Sequence, residues 1–174
     1  MKFVVSAAVA AIALAASAAT AQAETNWYAS AGYSNFSTEG FADHDLDAVT
    51  VRVGTRFLGF LGAEAEGSFG MGAEDIGGGL GVKLNDQFAG YLVGAFPVSE
   101  NLEVFARVGY GSLSLRVVDQ DDSPVANGEG NSMNYGVGGA YFFDGLNGIR
   151  GDYTRHDFED GEADVLSVSY VRRF

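Results

Sequence analysis

The 174-residue chain has no cysteine, which removes disulfide cross-links and thiolate metal sites from consideration. It has two prolines, so little interrupts backbone pairing along its length. Lysine is nearly absent: Lys2 and Lys83 are the only two, and ten cationic residues face 23 acidic ones for a net charge of −13. That balance excludes nucleic acid and other polyanions as partners held by charge, and points instead to divalent cations or basic partners. Only one apolar run, Phe3 to Ala19, is long enough for a helix to cross a membrane, and no comparable run follows it.

That run has the marks of an export signal. Lys2 supplies a basic start, and Ala21-Gln22-Ala23 supplies the small-residue box that precedes cleavage. Residues 1–23 are therefore read as a cleaved signal peptide and residues 24–174 as one exported domain. With 25 glycines and no convincing helical period, this domain reads as strands throughout.

Eight segments alternate with a period of two. They run from Trp27 to Phe36, Ala48 to Phe57, Leu61 to Gly72, within Leu80–Phe96, Leu102 to Leu115, Ser132 to Phe143, Gly148 to Asp157, and Asp164 to Phe174. In the second segment Val49, Val51, Val53 and Phe57 share one face, while Thr50, Arg52, Gly54 and Arg56 share the other. The fourth changes phase around Asn85–Gln87. The connections 58–60, 97–101 and 144–147 are short. The connections 37–47, 72–79, 116–131 and 158–162 are mostly longer and more polar. Strands of about ten residues, short turns at one end and longer loops at the other suit a transmembrane barrel with lipid on one face and a polar lumen on the other. A soluble barrel would place its charges outward. The expected fold is thus all-β, an eight-stranded antiparallel up-and-down transmembrane barrel.

Three stretches carry a resemblance: Asn26–Ser34, Val104–Gly111 and Val168–Phe174. Here the chain resembles the small eight-stranded outer-membrane barrels of the OmpA transmembrane-domain and opacity-protein type. The resemblance implies a bacterial outer-membrane location and contact with outer-membrane lipids and lipopolysaccharide. It implies that Val168, Tyr170 and Phe174 form the signal read by the outer-membrane insertion machinery. Arg172 departs from that signal, where an apolar or aromatic residue is usual; an arginine there can snorkel toward headgroups.

Four sets of residues bear on function. Arg52, Arg56, Arg107 and Arg150 point inward with Glu64, Glu66, Glu103 and Asp152. In so narrow a lumen these charges must pair. Either they plug the barrel, or they line a gated path in which Gly32, Gly54, Gly70, Gly109, Gly136 and Gly138 leave room for water. Fifteen of the 23 acidic residues fall in the longer connections or, as Asp157 and Asp164, flank the last of them, and Asp43, Asp45, Asp47, Asp157 and Asp160 are weak cation candidates that match no calcium-loop spacing. Neither His44 nor His156 has a nucleophile spaced to complete a catalytic site, so no enzyme and no cofactor are expected. Trp27, Tyr33, Tyr141 and Phe143 read as membrane-interface anchors.

These readings converge on a monomeric barrel with a structural and surface-interacting role. A narrow channel for small solutes or ions and a surface adhesin using the Asp121–Gly130 stretch are the alternatives. Deleting Phe174 is expected to lower the amount of assembled barrel in the outer membrane sharply; undiminished assembly, read by heat-dependent gel mobility, would remove the insertion-signal assignment.

Overall fold

A computed structural model describes residues 26–39, 45–57, 59–72, 74–77, 80–119, 124–159 and 161–174. The signal segment 1–23 and Asp43, His44 and Asp160 lie outside the described residues. Within them the alternating segments become strands: β1 (Asn26–Glu39), β2 (Asp45–Arg56), β3 (Leu61–Gly70), β4 (Glu74–Gly77), β5 (Leu80–Pro97), β6 (Leu102–Asp119), β7 (Pro124–Phe142), β8 (Asn147–Phe158) and β9 (Gly161–Arg173). Neighbours pair antiparallel, β1 pairs with β9, and β3 pairs with β5, which closes the ring. Closure leaves no sheet edge within the ring, the condition for backbone polar groups to tolerate lipid. Eight strands form the ring; β4 continues the line of β3 along the outer half of β5.

The alternation sorts the side chains as expected. Leu92, Val104, Val108, Val137, Leu166 and Val168 are exposed on the outer wall, while Arg52, Glu64, Glu66, Arg107, Arg150 and Asp152 are buried inside. Trp27, Tyr33, Tyr141 and Phe143 lie on the outer wall, Trp27, Tyr141 and Phe143 near the short-turn end. Toward the other end, the Tyr33 hydroxyl donates to Asp47 and that of Tyr153 donates to Asp164 at 2.6 Å. Apolar wall between two bands of amphipathic rings is the expected shape of a surface that meets lipid.

The phase change in β5 has a single cause. Leu84 pairs with Leu115 and Asp86 with Ser114, so Asn85 is an extra residue bulged out of the ladder. Before it Leu84 faces inward; after it Gln87, Ala89, Tyr91, Val93 and Ala95 do. A bulge shifts a strand by one residue and so exchanges its faces.

The connections opposite the short turns differ from the sequence expectation. The stretch 116–131 is mostly paired strand, with Val117 opposite Ala126 and Leu113 opposite Gly130. Residues 72–79 contain β4, and β8 turns into β9 between Phe158 and Gly161. Hairpin pairing continued past the expected membrane zone because alternation is only one stabiliser of a ladder; backbone hydrogen bonds across a polar, glycine-rich stretch maintain it too. β4 and the outer ends of β5, β6 and β7 thus form a sheet that rises beyond the ring on one side.

The turn 143–146 shows how the short connections are fixed. Gly145 takes the positive φ (80°) that a side chain would resist. Asp144 Oδ1 accepts the backbone N–H of Leu146 at 3.0 Å and of Asn147 at 2.6 Å. These bonds, that from the Asn147 backbone foremost, hold its carboxyl below the usual carboxylate range. Their stabilisation is present above the unfolded-state pKa and is lost as pH falls through the lowered value. Amide exchange at Leu146 and Asn147, corrected for intrinsic rate, is expected to accelerate at acid pH in the native protein and to be fast at neutral pH already in Asp144→Ala.

Candidate functional site

The lumen is layered, and the layering follows from which inward residue each strand places at each height. Nearest the short-turn end stand Arg56 (β2), Glu103 (β6), Phe142 (β7) and Arg173 (β9). Next comes a belt with Tyr28, Phe105 and Ala140, then a central ionic layer. Above it lies a row of hydroxyls, and above that an apolar layer of Phe36, Leu46, Ala48, Leu84 and Val165.

The central layer contains three guanidiniums, Arg52, Arg107 and Arg150, and three carboxylates, Glu64, Glu66 and Asp152, so its formal charge sums to zero. Arg107 is the hub. Its Nη1 donates to Glu64 Oε1 at 3.0 Å and Glu66 Oε2 at 2.7 Å, its Nη2 to Asp152 Oδ2 at 3.0 Å, and its Nε to Thr154 Oγ1 at 3.1 Å. Arg52 bonds Glu66 at 2.6 Å, Asp152 at 3.2 Å and Ser167 at 3.1 Å, leaving only its Nη1 without a protein partner. Arg150 bonds Asp152 Oδ1 at 2.9 Å and both oxygens of Glu64. Tyr28 and Tyr91 donate to Glu64 and Glu66 at 2.8 and 3.1 Å. The guanidinium carbons of Arg107 and Arg150 lie 4.3 and 4.2 Å from the ring centroids of Tyr91 and Phe105.

The eight inward charges named from the sequence divide into two groups. Six form the central layer. Arg56 and Glu103 form a bidentate pair nearer the short-turn end, joined by Arg173, whose Nη2 donates to Glu103 Oε2 at 2.7 Å. Arg173 was not named among the pairing charges, although its position two residues beyond Val171 puts it on the inward face. Tyr28, Tyr91, Thr154 and Ser167 were likewise missed as partners; a polar residue at an inward position was the available signal. The hydroxyl row was not anticipated: Ser34 bonds Ser167 and Thr50, each at 2.7 Å, and Thr50 bonds Ser68 at 2.8 Å.

One expectation is corrected. The inward glycines do not open space for water. A Cβ on Gly54 would strike the Tyr28 ring, one on Gly109 the Tyr91 ring, and one on Gly138 would come within 2.5 Å of Phe105 Cζ. These three glycines each make room for an aromatic ring, while a Cβ on Gly32, Gly70 or Gly136 would strike the neighbouring strand, so the lumen accommodates large side chains by leaving small ones beside them.

Outside the lumen, Asp45 bonds Ser37, and Asp47 bonds Tyr33 and Asn35. Asp157 is exposed. Among the described residues no three His, Asp or Glu side chains converge as a metal site. His156 faces inward, with its ring 6.0 Å from that of Phe36 and 6.3 Å from that of Phe158.

Residues 6–174 match the model of a family described as outer membrane protein beta-barrel domain. A comparison with curated protein sequences found no match. Among solved structures, Ail, the attachment invasion locus protein of Yersinia pestis, seen with the heparin analogue sucrose octasulfate, is 14% identical with a TM-score of 0.63, over 87% of this chain and 100% of that one. Neisserial surface protein A is 11% identical with a TM-score of 0.65, over 87% and 98%. The N-terminal β-barrel domain of Pseudomonas aeruginosa OprF is 14% identical with a TM-score of 0.57, over 84% and 97%. At these identities the likeness is one of fold.

Removing the hub should be costly, because it leaves three buried carboxylates with only Arg52 and Arg150 to balance them. Arg107→Met is expected to lower unfolding free energy by about 3–5 kcal/mol, measured by urea titration in lipid vesicles. A loss below about 1 kcal/mol would mean that the layer does not depend on its hub.

Proposed function

The chain belongs to the outer membrane protein β-barrel domain family, and from that premise we propose that it is a plugged, monomeric envelope protein whose work is done at its surfaces, not through its lumen. The observation that carries this reading is the central layer: three arginines and three carboxylates, each with a side chain no more than 4% exposed, bonded to one another across the barrel. The apolar layer above it, with the His156 ring packed near Phe36, adds a second obstruction that a hydrated ion would have to cross with few polar partners.

Short turns in this family's architecture face the periplasm, so the raised sheet of β4–β7 faces outward. With the lumen filled, that sheet and the acidic rim around it are the surfaces available to partners. Outer-membrane lipids and lipopolysaccharide meet the apolar wall, and Val168, Tyr170 and Phe174 serve the insertion machinery.

Ail was crystallised with a polysulfated heparin analogue. Charge argues against the same ligand here. Asp45, Asp47, Asp157, Glu159 and Glu162 stand at or near the outward rim, and the chain's net charge is −13. A polysulfated ligand would be repelled, so an adhesive partner of this chain is cationic.

Refolded barrel, shown to be folded by its heat-dependent gel shift, is expected to be silent in a planar bilayer. Discrete, reproducible openings would reverse the reading in favour of a channel. Proteoliposomes are expected to retain a cationic protein in a salt-sensitive manner and to ignore sucrose octasulfate; retention of the octasulfate would remove the charge argument.

A further inference from the structure

The two ends of the lumen treat their arginines differently. In the central layer Arg107 and Arg150 spend all three guanidinium nitrogens on protein acceptors. At the periplasmic mouth Arg173 does not. Of its five N–H donors, one meets an acceptor among the described residues, Nη2 to Glu103 Oε2, and the side chain remains 33% exposed. Glu103 is already engaged through both oxygens by Arg56. Two guanidiniums thus share one buried carboxylate, and the second keeps most of its donors turned to an open cavity of about 270 Å³.

Arg173 is also held in place. Its guanidinium carbon lies 3.5 Å from the centroid of the Phe142 ring, so the planar group stacks on the aromatic face while Glu103 holds one edge. A guanidinium fixed by stacking and by one carboxylate, with its remaining edge open, is pre-organised for two parallel N–H···O bonds to a carboxylate or phosphate. The open rim of the cavity adds Pro97, Phe174 and the outer-wall residues Trp27 and Leu102, apolar residues that a short hydrocarbon portion would meet beside the anion. Glu100, on the exposed turn at the rim, sets a limit: it repels polyanions and favours a ligand of a single negative charge.

We infer that the periplasmic mouth is a binding site for a monoanionic amphiphile, whose carboxylate or phosphate seats on Arg173 and whose apolar portion lies against Leu102 and Phe142. The ligand comes either from solution in the periplasm or from the inner leaflet as a phospholipid headgroup. The site lies at the opposite end from the surface proposed to face the exterior; its periplasmic placement rests on that orientation, while binding at Arg173 is tested independently of it.

The chain's single tryptophan, Trp27, stands at the cavity rim on the outer wall, near enough to report on occupancy. Refolded barrel in nonionic detergent would be titrated with hexanoate and, separately, with a short-chain phosphatidylglycerol, following Trp27 emission. Saturable change with both assigns the site to soluble anions; change with the phospholipid alone assigns it to headgroups. No saturable change with either probe overturns the proposal. Arg173→Gln is expected to weaken binding about tenfold or more. Arg173→Lys, which keeps the charge but lacks the fork, should also bind more weakly, and protects the test should the glutamine variant fail to fold. Arg172→Gln, one residue away on the outer wall, is expected to bind as the native barrel does. Equal affinity in folded Arg173→Gln or Arg173→Lys barrels would equally overturn the assignment.

Discussion

Pairing buried guanidiniums with buried carboxylates is the constraint on which the rest of this barrel depends. A narrow ring of eight strands in lipid has no aqueous refuge for a charge on its inner face, so charges must cancel in place. They do so across strands far apart in sequence: Arg107 of β6 reaches Glu64 and Glu66 of β3 and Asp152 of β8. The layer therefore links opposite walls, and the identity of each inward residue on one strand is conditioned by those on strands across the lumen.

Space is the second constraint, and it is met in a way that runs against a first intuition about glycine. Small inward residues here are the seats of large neighbours. Tyr28 lies over Gly54, Tyr91 over Gly109 and Phe105 over Gly138. Those rings in turn serve the ionic layer, two by donating to carboxylates and two by lying under guanidiniums. Steric room, ring placement and charge satisfaction are one arrangement, in which a side chain added at Gly54 or Gly109 would act on an ion pair it never touches.

Much of this was legible in the sequence, because period-two alternation assigns a face to every residue once one is fixed. That rule placed Arg52, Glu64, Arg107 and Asp152 inside and Val168 and Tyr170 outside. It could not say which arginine meets which acid, since that depends on strand stagger around the ring. It also could not show where hairpins end. The polar, glycine-rich stretch Pro124–Gly130 reads as a loop by composition, yet it pairs with β6 through its backbone, on which composition has little hold. Alternation also puts Arg173 on the inward face, but its partner Glu103 lies 70 residues away, and nothing in the sequence brings the two together.

The bulge at Asn85 has a consequence for how such a chain can change over time. Everywhere else in the ring, inserting or deleting one residue would turn a strand's inner face outward. In β5 that reversal has already been made and is accommodated, so the segment before Asn85 and the segment after it are independently framed. The raised outer sheet can be lengthened, shortened or exchanged upstream of that residue without disturbing the inward residues Gln87, Ala89 and Tyr91 below. A single extra residue thus acts as a joint between a part that lipid holds fixed and a part left open to variation.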